Sequence, residues 1–146
     1  MRISTKGRYS LEALLYLALL PPGGYISTRV IAEGTGISEG YLEQLFIPLR
    51  KAGILQGIRG PQGGYKPGRS LEQISAGDIL QAVEGPLEIA ACATSSTKAP
   101  CPRESSCESI GLWNELYREI TGCVGAITLQ ELAETCRTMD TLEYTI

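Results

Sequence analysis

A mainly α-helical chain with one small β-hairpin is the fold class the sequence predicts, and three observations predict it. Two short helical patterns flank the glycine-containing turn Gly34-Thr35-Gly36-Ile37. The glycine-rich run Arg59-Gly60-Pro61-Gln62-Gly63-Gly64-Tyr65 follows soon after and separates two short extended stretches. Beyond residue 109, apolar side chains recur every three or four positions, the period of a long helix. Two helices joined by a tight turn and followed at once by a hairpin make a winged helix-turn-helix, here with a long C-terminal helix behind it.

Each element has its own justification. Residues 8–20 are apolar on most faces and predict a first helix packed under the rest, stopped by Pro21-Pro22-Gly23-Gly24. Ser27 or Thr28 is the expected N-cap of a second helix running through Ile31 and Ala32 to about Glu33. Ser38 caps a third, whose stripe Tyr41, Leu42, Leu45, Phe46 and Leu49 has helical spacing; Gly53 ends it. Residues 54–59 read as a strand, 60–64 as a loop able to take positive φ, and Tyr65-Lys66-Pro67 as the return strand. Ser75 or Gly77-Asp78 opens a helix through Ile79, Leu80 and Val83 to Gly85. Residues 93–106 are rich in Ser, Thr and Pro and read as a loop. The long helix carries Ile110, Trp113, Leu116, Tyr117, Ile120, Cys123 and Val124 on its stripe, so Cys123 is expected to be a buried small hydrophobe. Thr128-Leu129-Gln130-Glu131 is a capping-box pattern opening a last short helix, with the chain fraying from about Arg137.

Composition and charge narrow the function classes. With 146 residues and 43% apolar content, the chain is an ordinary globular protein, neither disordered nor membrane-spanning. Residues 1–70 hold nine Lys/Arg against four Asp/Glu, and residues 71–146 hold four against twelve. A basic front and an acidic back suggest a polyanion partner for the front alone. Arg2, Lys6 and Arg8 before the apolar run 13–20 imitate a secretory signal. However, Glu12 interrupts it and no small-x-small cleavage pattern follows, so a cytoplasmic protein is expected. The glycine-rich run lacks the Gly-Lys-Ser/Thr ending of a phosphate loop and precedes a strand, which excludes that reading.

For the basic half, double-stranded DNA is the expected partner. Ser38, Glu39, Gly40, Glu43 and Gln44 lie on or near the face of the third helix opposite its apolar stripe. A glutamine can bond two edges of adenine, and a glutamate can accept from the cytosine amino group. Glu43 also repels phosphates, so binding should be demanding about sequence. Arg59 suits a phosphate or a narrow minor groove. Arg2, Lys6, Arg8, Arg29, Arg50 and Lys51 would hold the register through the backbone. Tyr41 at the helix start and Gly60 in the wing complete the expected contact set.

Five cysteines, an odd number, argue against a closed disulfide framework, and no histidine is present. Cys92, Cys101 and Cys107 have loop spacing, unlike the Cys-x2-Cys knuckle of structural zinc. Spacing alone leaves an iron–sulfur cluster, zinc and unligated redox thiols all open. A small redox enzyme using Cys101 and Cys107 would lack Cys-x-x-Cys, histidine and a βαβ framework.

Several segments together resemble one family. They are Met1-Arg2-Ile3-Ser4-Thr5-Lys6-Gly7-Arg8-Tyr9, Tyr41-Leu42-Glu43-Gln44-Leu45-Phe46, and Leu49-Arg50-Lys51-Ala52-Gly53. With them go the wing 59–65, the stretch Gly77 to Gly85, Leu112-Trp113, and Ile127 to Leu132. The chain is similar over nearly its whole length to the IscR-like family of iron–sulfur cluster regulators. The resemblance implies a homodimer joined by the long helix and reading a partly palindromic operator. It implies base-reading roles at Gly40, Glu43 and Gln44, with Arg59 in the wing; the best-known member carries serine where Gly40 stands. It implies Cys92, Cys101 and Cys107 as metal ligands of a cluster, with [2Fe–2S] favoured over [4Fe–4S]. The family's histidine ligand matches Ile110 here. A carboxylate such as Glu104 or Glu108, a residue of the other subunit near Arg8, or an exogenous ligand must replace it.

The expected organisation is a DNA-binding winged helix-turn-helix over 1–70, a connecting helix over 71–91, a cluster-binding cysteine loop over 92–107, and a dimerisation helix with tail over 108–146. The expected function is repression, controlling cluster biogenesis genes in answer to cluster occupancy. The alternative is a thiol- or partner-protein-controlled repressor of sulfur and cysteine metabolism without a cluster.

Overall fold

The computed structural model describes residues 2–90 and 102–143. Helix α1 (Thr5–Leu19) begins three residues before the sequence pattern predicts. The reason lies 80 residues away: Glu84 Oε1 accepts from the Ser4 amide at 2.7 Å, the Ser4 hydroxyl at 2.6 Å and the Gly7 amide at 3.1 Å. A carboxylate at a helix N-terminus satisfies orphan amides and complements the helix dipole, so the extra turn is stable. Ala13, Leu14, Leu17 and Ala18 bury the inner side of α1.

Helix α2 (Thr28–Thr35) is capped by Ser27, whose hydroxyl accepts from the Val30 amide. It continues through Gly34, which the sequence pattern placed in the turn. A side chain at 34 would overlap the Tyr16 ring, so glycine there admits close packing of α1 on α2. Gly36 (φ 74°) then ends the helix, its amide bonded to the Ala32 carbonyl. Ser38 caps α3 (Glu39–Lys51), which buries Leu42, Leu45, Phe46 and Leu49 as predicted. Strands β1 (Leu55–Ile58) and β2 (Gly64–Pro67) pair antiparallel, Leu55 opposite Pro67 and Ile58 opposite Gly64. Ile26 adds a single bridge to Tyr65, with bonds of 2.9 and 2.8 Å between their backbones.

Helix α4 (Ala76–Glu84) opens with a reciprocal capping box between Ser75 and Asp78. Helix α5 (Ile110–Ala126) packs along α4 and buries no residue fully. Cys123 is therefore exposed, contrary to the buried position its spacing predicts, because nothing among the described residues covers that side of α5. Helix α6 (Leu129–Glu143) has fifteen residues and is neither short nor frayed from Arg137. Its Thr128–Glu131 cap forms as predicted. Leu129 and Ala133 enter the same core as Leu14, Ile31, Phe46 and Ile79. Arg137 Nη2 also donates to the Ala18 carbonyl at 3.2 Å, across 119 residues. No helix among the described residues is long and apolar enough to cross a membrane.

Candidate nucleic-acid interface and cysteine segment

The cap at Ser38 fixes where α3 starts, and the buried stripe fixes which side faces out. Glu39, Gly40, Glu43, Gln44, Ile47 and Arg50 are exposed on it. Facing them across a cleft of about 560 Å³ stand the N-terminus of α2 and the wing. Of the predicted contact residues, Arg29, Glu43, Arg50, Arg59 and Gly60 line this cleft. Gln44 is exposed on α3 but outside the lining. Gly40 has open space where a Cβ would stand, so the serine of the family's best-known member would fit there without rearrangement.

Arg2, Lys6 and Arg8 lie outside the cleft, exposed at the start of α1. Tyr9 packs edge-on against Tyr41, with ring centroids 5.8 Å apart. That contact brings the basic start of α1 beside the start of α3. It also makes Tyr41 a half-buried packing residue in the free protein. The Ser38 hydroxyl is engaged by the Tyr41 amide, so its first role is as a cap. Arg8 pairs with Glu12 at 3.2 Å and Arg29 with Glu33 at 3.0 Å. Both pairs are largely exposed, so giving them up for phosphate contacts costs little.

Glu39, placed on the reading face by the sequence, also lines the cleft, whereas sequence reasoning missed Thr28 and Ile47 among its lining residues. Ile47 is 54% exposed. The signal was its place off the 42/45/46/49 stripe, since an apolar side chain on a reading face can meet a thymine methyl group. Glu84 was also missed, because a side chain that caps another helix 80 residues away leaves no local pattern.

Cys92 and Cys101 lie outside the described residues. Cys107 stands just before α5, half-buried and free of any disulfide. Its thiol pKa is lowered, first by the Ser109 side chain, with help from the backbone at Ser109 and Ile110 and from Arg103, against an opposing effect of burial. The Cys107 Sγ lies 3.4 Å from Ser109 Oγ, which in turn accepts from Trp113 Nε1 at 3.1 Å. With the indole donating to Ser109 Oγ, the serine hydroxyl is free to donate to sulfur, an arrangement that favours the thiolate, the form that binds metal and attacks electrophiles. Trp113 thus does more than the packing its stripe position suggested. Ser109→Ala is expected to move the Cys107 titration back up towards the ordinary thiol range. The check is the pH dependence of alkylation in metal-free protein carrying Cys107 as its only cysteine; an unchanged midpoint would refute the assignment. Among the described residues no three of Cys, Asp and Glu stand together as a metal site.

Comparison with known proteins accounts for this geometry. Residues 3–135 match the Rrf2 family, described as iron-dependent transcriptional regulators. The HTH-type transcriptional regulator IscR of Cronobacter sakazakii is 38% identical over 140 residues, covering 96% of this chain and 85% of that protein. The solved structure of CymR, the global cysteine regulator of B. subtilis, is 37% identical with a TM-score of 0.71, covering 92% of this chain and 98% of that one. The IscR structure from T. potens is 33% identical with a TM-score of 0.72, covering 93% and 88%. The family and the Cronobacter relative are named as regulators of transcription, which sets aside the small redox enzyme. A winged helix-turn-helix with a cleft between wing and third helix, matched across nearly its whole length, makes this chain a member of the Rrf2 family of transcriptional regulators.

Proposed function

We propose that this protein is a homodimeric repressor, acting in the cytoplasm, whose grip on a partly palindromic operator answers to an iron–sulfur cluster held by Cys92, Cys101 and Cys107. The observation that carries the reading is the Cys107 thiol, with its lowered pKa, set at the junction of the cysteine segment and α5. A soft sulfur donor already biased to the thiolate fits iron. When bound, the cluster would supply a centre sensitive to iron supply and oxidants. Glu108, exposed and adjacent to Cys107, would offer the fourth ligand that histidine supplies elsewhere. A [2Fe–2S] centre is preferred to [4Fe–4S], and cluster-assembly genes are the proposed targets.

The chain's own residues would carry the signal. From the cysteine segment one end of the chain leads into α5, which packs along α4. The other leads back to the end of α4, where Glu84 holds the start of α1 with its Lys6 and Arg8. A shift of α4 would therefore move those cations relative to α3. Leu112 and Leu116, 57% and 37% exposed on α5, support pairing of two copies along that helix. The resulting units are a DNA-binding head at 1–70, a connecting helix at 71–91, a cluster loop at 92–107 and a dimerisation region at 108–146.

In the DNA complex the contact set would be Gly40, Tyr41, Glu43 and Gln44 at bases or beside them, with Arg59 and Gly60 in the wing. Ser38, Arg2, Lys6, Arg8, Arg29 and Arg50 would meet the backbone. Gln44→Ala is expected to cost about 1–3 kcal/mol on the cognate operator and to relax discrimination. Equal affinity for a scrambled operator would defeat that assignment. Isolation without air tests the sensor: stoichiometric iron and sulfide with visible absorption, lost in Cys92→Ala, is the expected result.

The second reading is a cysteine-metabolism repressor governed by thiol state or a partner protein. The likeness to the B. subtilis global cysteine regulator favours it, as does a Cys107 thiol suited to oxidation. Colourless, iron-free protein that binds its operator and responds to oxidants would establish this reading and end the first.

A further inference from the structure

We propose that a second cleft, at the root of the wing and with no cysteine in its described lining, binds a small organic carboxylate with an apolar body. The end of α1, the Pro21–Gly24 turn, β2 and α6 enclose about 520 Å³ there. That volume is within the range of small-molecule sites, roughly 300–1,000 Å³. Leu17, Leu20, Ile26, Pro67 and Leu71 give it an apolar lining.

Its charged lining is of one sign: Lys66, Arg69 and Arg137. Each rests on a neutral partner. Arg137 Nη2 donates to the Ala18 carbonyl at 3.2 Å, and Arg69 donates to the carbonyls of Gln73 and Ala52 at 3.4 Å each. Lys66 Nζ lies 4.7 Å from the centre of the Tyr25 ring. No carboxylate among the described residues pairs with any of them, whereas Arg8, Arg29 and Arg118 all have a glutamate. Three uncompensated cations around an apolar floor call for an anion whose body displaces water from that floor. A guanidinium whose donors are only partly used is suited to a carboxylate. An inorganic ion would leave the apolar lining wet, and a cation would be repelled.

The place of the cleft gives the site a consequence. Ile26 lines it and bonds Tyr65, while the next residue, Ser27, and Tyr65 itself line the DNA-side cleft. A ligand seated on Ile26 and Lys66 therefore bears on the strand pairing that sets the wing against α2.

The test is an amide-resolved NMR titration of the full chain with hexanoate, against hexylammonium and inorganic phosphate. Saturable hexanoate binding with shifts centred on Ile26, Lys66 and Leu71 is expected, with both other probes weaker by about tenfold. Lys66→Glu alone leaves Arg69 and Arg137 in the lining and should only weaken hexanoate binding, whereas Lys66→Glu with Arg69→Glu leaves two carboxylates against Arg137 and should reverse the preference to hexylammonium, a reversal that damage to the fold would not produce. Binding of all three probes alike, phosphate matching hexanoate, or no change in preference in the double variant would each overturn the proposal. The measurement needs neither operator nor iron, so its failure leaves the proposed function standing.

Discussion

Replacing Phe46 with alanine is expected to lower the unfolding free energy by about 3–5 kcal/mol. Phe46 is wholly buried at the centre of the α3 stripe, and its ring centroid lies 4.6 Å from that of Tyr65. It is the one phenylalanine of the chain, and the side chains around it come from elements that differ in sequence by tens of residues. Truncation leaves a cavity that the surrounding side chains close only in part. Domains of this size are stable by only about 5–15 kcal/mol, so a large part of the folded population would be at risk. Urea denaturation should show a lower midpoint with little change in slope. A loss under about 1 kcal/mol would mean that the α3–wing contact is not the centre of the core.

Gly64→Ala should destabilise by about 2–4 kcal/mol, through backbone strain and two lost backbone bonds. Gly64 has φ 150°, and a Cβ there would collide with the Ile26 carbonyl. The neighbouring Ile26–Tyr65 pair would have to open, freeing the wing from the start of α2. Operator affinity should fall with it, because Arg59 and Gly60 would lose their place opposite Glu43 and Arg50. Gly60→Ala is the control: φ is 121° but the space is open, so strain alone of about 1–2 kcal/mol is expected. Similar melting temperatures for the two variants would refute the argument from close approach.

Much of the candidate site was legible because its signals are local. The caps at Ser27, Ser38, Ser75 and Thr128 each bond an amide three residues on. The α3 stripe shows at helical spacing, and its exposed complement follows from it. The exposed side of α5 was not legible, since one apolar period cannot tell a covered face from one that the described residues leave open. Cys123 was misjudged for that reason. Gly34 looked like turn chemistry until the Tyr16 ring showed why a helix would need glycine there.

By itself, then, the sequence determined the order and kind of the elements, the basic front half and the family, because periods, caps and charge act over a few residues. Tertiary structure alone decided where α1 begins, how far α6 runs and how the wing is held. Glu84 on Ser4, Arg137 on Ala18 and Ile26 on Tyr65 are contacts between distant parts of the chain. Their energy is gained only after the core has brought those parts together, so no local pattern announces them.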